Sequence, residues 1–144
     1  MTTALKFTHS SQEIPHLLNT LRAPLPTATS ERLEAELMGM DPWAVMEHVR
    51  HPFTESPYLL AALAPVFAGW HRRNAEGSGR LLQSLIALTA SDLPLMVRVA
   101  AIDAMGQTGT KHPVVLEQLR KLLKDQDLGV RSSAQDALEN LEAE

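Results

Sequence analysis

The chain has 144 residues, with 13 Lys+Arg against 17 Asp+Glu for a formal charge of −4, 44% hydrophobic and 21% charged residues, and no cysteine. That length suits one domain able to withdraw about 68% of its unfolded surface from water, and the composition excludes long disorder. The missing cysteine excludes disulfides, Cys-ligated zinc or iron–sulfur sites and a thiol nucleophile, and the slight acidity gives no support to a nucleic-acid or membrane-surface role.

Met1 to Phe7 has one lysine and no apolar run, unlike a secretory signal. The most apolar stretch, Tyr58 to Trp70, is interrupted by Pro65 and falls short of the about 20 residues a membrane span needs. The expectation is a soluble, cytoplasmic protein. Aromatic residues make up 4% while Leu and Ala abound, which favours helices over strands.

In chain order, a first helix runs from about Ser11 to Arg22. Ser10 or Ser11 can cap it, and Ile14, Leu17, Leu18 and Leu21 form one stripe. Ala23-Pro24-Leu25-Pro26 ends it. A second helix spans about Ser30 to Met38 with Gly39 as its stop. Asp41-Pro42 opens a third, with Trp43, Met46 and Val49 as its stripe and His51-Pro52 as its end. Ser56-Pro57 opens a fourth, in which Leu60, Leu63, Phe67 and Trp70 share a face and Pro65 should kink or split the helix. After the polar linker Asn74 to Gly79, four more helices follow: about Arg80–Thr89, Pro94–Gly106, one from Pro113, and Leu128–Leu141. No alternating run bounded by turns appears, so no sheet is expected.

The chain also repeats itself. Asp92-Leu-Pro-Leu-Met-Val-Arg-Val-Ala-Ala-Ile-Asp-Ala-Met-Gly106 aligns without gaps, at an offset of 33, with Asp125-Gln-Asp-Leu-Gly-Val-Arg-Ser-Ser-Ala-Gln-Asp-Ala-Leu-Glu139. The identities include Val97/Val130, Arg98/Arg131, Ala101/Ala134, Asp103/Asp136 and Ala104/Ala137. Two helices per period of this length means stacked helical hairpins.

The pattern Asp-x4-Val-Arg-x2-Ala-x2-Ala-Met/Leu resembles the HEAT repeat, in particular the short variety of phycobilisome lyase-type proteins, and it is clearest over residues 79–141. The resemblance implies an all-α, right-handed solenoid. Its first helices would lie on the convex side, and its Val-Arg helices on a concave side that commonly binds a partner. Helix spacing extends this to about four stacked hairpins in one domain, 1–144, with residues 1–73 as degenerate pairs.

Small alanines at 101, 104, 134 and 137 would let helices approach closely, with Val97 and Val130 filling the layer between hairpins. Asp92 and Asp125 precede second helices, where an acid suits the positive helix end. Arg98 and Arg131 can each reach an aspartate of their own or the next repeat, so Asp92, Arg98, Asp125 and Arg131 read as a structural ladder. The competing reading is an arginine pair holding a phosphate or carboxylate.

Candidate chemistry is thin. His48 and His51 could share a helix face, but His-x-x-His lacks further ligands, so no metal and no cofactor is expected. Gly77-Ser78-Gly79 lacks the spacing and lysine of a phosphate loop. No catalytic residue stands out, and the chain reads as a non-enzyme. His71-Arg72-Arg73, after Trp70, is the compact basic cluster. It is either a helix end matched to its dipole or an anchor for an acidic partner.

With Val97, Ala101, Ala104 and Met105 facing in, the helical wheel puts Val99, Ile102, Asp103 and Gly106 outward. Ser132, Gln135, Asp136 and Glu139 are outward on the last helix, and Tyr58, Ala62 and Gly69, then Arg72 and Arg73, on the fourth. The expected docking surface is Tyr58, Trp70, Arg72, Arg73, Val99, Ile102, Asp103, Gln135, Asp136 and Glu139. The leading expectation is a protein-binding module, an adaptor, inhibitor or immunity-type partner, that is monomeric or weakly self-associating. The alternatives are an accessory role in enzyme or chromophore maturation, implied by the resemblance, and a nucleic-acid-binding solenoid, which the acidity disfavours.

Overall fold

The computed structural model describes residues 13–73, 78–109 and 111–143. The caps expected at Ser10 or Ser11, the segment Met1 to Phe7 and linker residues 74–77 lie outside them. Among the described residues there are eight helices and no strand: α1 (Glu13–Leu21), α2 (Thr27–Met38), α3 (Pro42–Met46), α4 (Pro57–Arg72), α5 (Ser78–Ala87), α6 (Leu95–Gly106), α7 (Pro113–Leu122) and α8 (Leu128–Ala143).

Local chemistry sets most starts. Asp41 Oδ2 accepts from the Ala44 N–H at 3.3 Å with Pro42 in the first turn of α3. Ser56 Oγ accepts from the N–H groups of Tyr58 (3.2 Å) and Leu59 (3.4 Å) at α4. The His112 ring nitrogen Nδ1 accepts from Val114 N–H at 3.2 Å at α7. Asp127, not Asp125, caps α8 by accepting from Val130 N–H at 3.0 Å. At α6 the residue before the helix is Pro94, so Asp92 caps nothing there.

The even-numbered helices α2, α4, α6 and α8 pack side by side as one layer, with α4–α6 and α6–α8 the most extensive pairings. α5 covers α4 and α6, and α7 covers α8. Buried residues from all eight helices form one continuous hydrophobic core. Arg80 of α5 also stacks over the Trp43 ring of α3 at 4.8 Å.

The repeat alanines at 101, 104, 134 and 137 are all buried, and Val97 and Val130 are both fully buried at matching places. At this seam α6 and α8 nearly touch. A Cβ on Gly106 would lie 2.9 Å from both Cα and Cβ of Ala137.

Four expectations are corrected. α3 ends at Met46 instead of running to Val49, because the next backbone groups are taken by another contact: Arg22 claims the His48 carbonyl and Glu55 claims the Arg50 N–H. Of the kink or split expected at Pro65, the split does not occur, and α4 runs on as one helix. It is buried along its length between neighbours, which offsets the roughly 3 kcal/mol that an interior proline costs. α2 begins at Thr27, one turn before Ser30, because Ser30 N–H reaches the Pro26 carbonyl at 3.0 Å.

The fourth concerns the outward faces. Ile102 is fully buried and Trp70 is 2% exposed, and Ala62, Gly69 and Gly106 are also buried. The wheel assumed that a helix buries one side. α4 and α6 are each flanked by a helix on both sides and covered by α5, so only a narrow strip of each meets solvent. Trp70 packs on Phe67, ring centroids 5.9 Å apart, and its Nε1 has no hydrogen-bond partner among the described residues.

Candidate docking face

Three polar clasps hold successive hairpins in register and so position any surface they share. The first is the rung expected from the repeat. Arg98, itself buried, donates Nη2 to Asp125 Oδ1 at 2.6 Å in the next hairpin and Nε to the Thr89 carbonyl at 3.0 Å. The Arg98 guanidinium and the Asp127 N–H hold the Asp125 carboxyl below the usual carboxylate range. The ladder does not continue on either side. Arg131 donates to the carbonyls of Asp125 and Gln126 in its own hairpin, and Asp92 is exposed and joins no ion pair among the described residues.

The second clasp escaped the sequence reading. The Glu55 side chain is 0% exposed and receives Arg22 Nε at 2.9 Å and Nη2 at 3.2 Å. It also accepts the N–H groups of Arg50 (2.8 Å) and Ser56 (2.9 Å). Burial alone would raise its pKa. The donors from Arg22, Arg50 and Ser56 outweigh burial and hold it below the ordinary glutamate value. Ser56 completes the joint by donating its hydroxyl to the Arg22 carbonyl at 2.7 Å. The only hint in the sequence was an acid directly before the Ser56-Pro57 start.

The third clasp gives the basic cluster a place. Arg72 donates to the Gln107 carbonyl at the end of α6, and Arg73 donates to the Met38 carbonyl at the end of α2, both at 2.6 Å. Two adjacent arginines at the end of α4 thus reach in opposite directions and satisfy orphan carbonyls of the flanking helices. Both remain exposed.

What faces solvent on the even-numbered layer is narrow on α4 and α6, which have a helix on each side, and broader on α2 and α8. Tyr58 and Ala61 stand on α4, and Met96, Val99 and Asp103 are spaced three and four apart on α6. Gln135, Asp136 and Glu139 are exposed on α8, with Gln135 Nε2 donating to Glu139 Oε1 at 3.3 Å. Asp103 and Asp136 face one another closely enough to interact. Burial and then the neighbouring Asp136 charge push the Asp103 carboxyl above its ordinary value.

The strip therefore unites Tyr58, Val99, Asp103, Gln135, Asp136 and Glu139 and leaves out the buried Trp70 and Ile102. Sequence reasoning missed Leu95, Met96 and Leu128, which are large and exposed at the first turns of α6 and α8. The equivalence of Leu95 and Leu128 in the repeat alignment was the available signal. The His48 carbonyl accepts from Arg22, and the His51 ring stacks on Phe53. Among the described residues no three His, Cys, Asp or Glu side chains gather as metal ligands, and no helix is long and apolar enough to cross a membrane.

A family model for HEAT repeats matches residues 54–141, from the loop before α4 to the last turns of α8. The chain belongs to the HEAT-repeat family. The HEAT match takes in α4, which the sequence comparison at offset 33 had left out. No curated protein and no solved structure matches the chain.

Proposed function

We propose that the chain is a non-catalytic protein-binding module that holds another protein against the solvent strip of its even-numbered helices. HEAT repeats generally mediate protein–protein interaction and are typically non-catalytic. The observation that carries the reading is the make-up of this strip. Tyr58 and Met96 are 41% and 43% exposed on adjacent helices, and the carboxylates Asp103 and Asp136 follow farther along the same layer. Apolar side chains left in water beside charges of one sign suit a protein surface of opposite charge. The same acidity disfavours a nucleic-acid backbone. In this reading the whole chain works as one solenoid, with the N-terminal pairs as degenerate repeats, and acts as a monomer or weak homo-oligomer.

Affinity capture from the native host, with the tagged full chain as bait, tests it. One stoichiometric protein should be recovered, and the pair Asp103→Lys with Asp136→Lys should lose it. Undiminished recovery with that pair would refute the proposed face.

A further inference from the structure

A groove of about 260 Å³ opens where the loop after α1 meets α2, α4 and α6. Pro24, Leu25, Tyr58, Ala61 and Met96 are among the residues that line it. Its charged member is Glu34, which is half-buried and accepts the hydroxyl of Ser30, also in the lining, at 2.7 Å. Glu34 joins no ion pair among the described residues. Burial and the adjacent Glu31 push its carboxyl upward, against the lowering effect of Ser30.

An apolar cleft with a carboxylate, and no cation paired with that carboxylate, is complementary to an apolar group accompanied by positive charge. We infer that this groove seats a segment of a partner protein in which one bulky apolar side chain lies beside a lysine or arginine. The apolar group lodges among Leu25, Tyr58 and Met96, and the cation meets Glu34. This rests on the protein-binding reading above and adds the place and the chemistry of the segment recognised. A second copy of this chain is the competing occupant.

Short synthetic peptides with a central Phe flanked by Lys, by Glu or by Ser, labelled with fluorescein and titrated with the full chain by fluorescence anisotropy, test the inference. The Lys-flanked peptide should bind about tenfold more tightly than the Glu-flanked one. Glu34→Lys should invert that order, a result that misfolding cannot imitate. Tyr58→Ala should weaken the Lys-flanked peptide by about tenfold. Equal binding of all three peptides, or an order that survives Glu34→Lys, overturns the inference. So does a wild-type dimer in sedimentation that Tyr58→Ala dissolves, because the occupant is then a second copy. Failure here with host-protein capture still lost in the Asp103/Asp136 variant removes the groove alone and leaves the protein-binding reading standing.

Discussion

Glu55 offers the sharpest test of how the hairpins are joined. Its carboxylate is fully shielded and engages Arg22 through two nitrogens and two backbone N–H groups besides, all between the first hairpin and the turn before α4. Replacing it by alanine leaves the Arg50 and Ser56 N–H groups without an acceptor, at about 1–3 kcal/mol each if water does not reach them. Arg22 retains the His48 carbonyl at 3.0 Å and Asn19 Oδ1 at 3.2 Å but loses its counter-ion. Breaking a buried pair from one side costs about 3–5 kcal/mol, and these losses overlap, so Glu55→Ala should cost about 4 kcal/mol in total. In a chain of this size that lowers Tm by roughly 10 °C. Urea unfolding followed by circular dichroism reads the change directly.

The pH dependence adds a sign. Glu55 is held below 4.5, so its contribution is fully present above that value and fades as pH falls through the lower folded value. The stability gap between wild type and Glu55→Gln should therefore stay constant from neutral pH to about 5 and close only at more acidic pH. A Glu55→Ala loss below about 1 kcal/mol at neutral pH, the low end for a single uncompensated N–H, would refute the reasoning.

Gly106→Ala should cost about 1–3 kcal/mol by forcing α6 from α8, since its Cβ meets the Ala137 backbone at 2.9 Å. Gly69→Ala should cost less, because the nearest atom at 2.7 Å is the movable Met38 Sδ; chemical denaturation separates the two. Arg72→Ala and Arg73→Ala should each destabilise by about 1 kcal/mol through the freed Gln107 and Met38 carbonyls, with hydrogen exchange rising at the end of α6 for the first and of α2 for the second. Asp136→Asn should stabilise by about 0.3 kcal/mol at neutral pH, as expected for relieving a pair of like charges. Denaturation across pH should show that gain fading as pH falls through the raised Asp103 value, where that carboxyl takes up its proton in the wild type.

The repeat made the seam legible. Identical Val, Ala and Arg residues at an offset of 33 pointed to matched environments, and Val97 and Val130 occupy them. Pro42 and Pro57, each after a side chain able to cap, announced two helix starts correctly. What a single sequence could not reveal came from contacts between distant segments. Whether Ile102 faces water depends on α6 having neighbours on both sides, which no helical wheel contains. The early end of α3 follows from Arg22, more than twenty residues away, and Arg72 and Arg73 looked like free cations until the carbonyls of α6 and α2 came within reach. The ladder was half legible: Arg98 finds Asp125, while Arg131, at the same repeat position, has no later hairpin to reach among the described residues.

All of this depends on α6 and α8 lying side by side with Gly106 pressed against Ala137. A nuclear Overhauser measurement on the full chain, isotope-labelled at glycine α-protons and alanine methyls, reads that approach directly. A strong cross-peak between Gly106 and the Ala137 methyl is expected, since a Cβ at 106 would stand 2.9 Å from that of Ala137. If the two resonances are assigned and sharp and no cross-peak joins them, the hairpins are not stacked in this way, and the docking face described here does not exist.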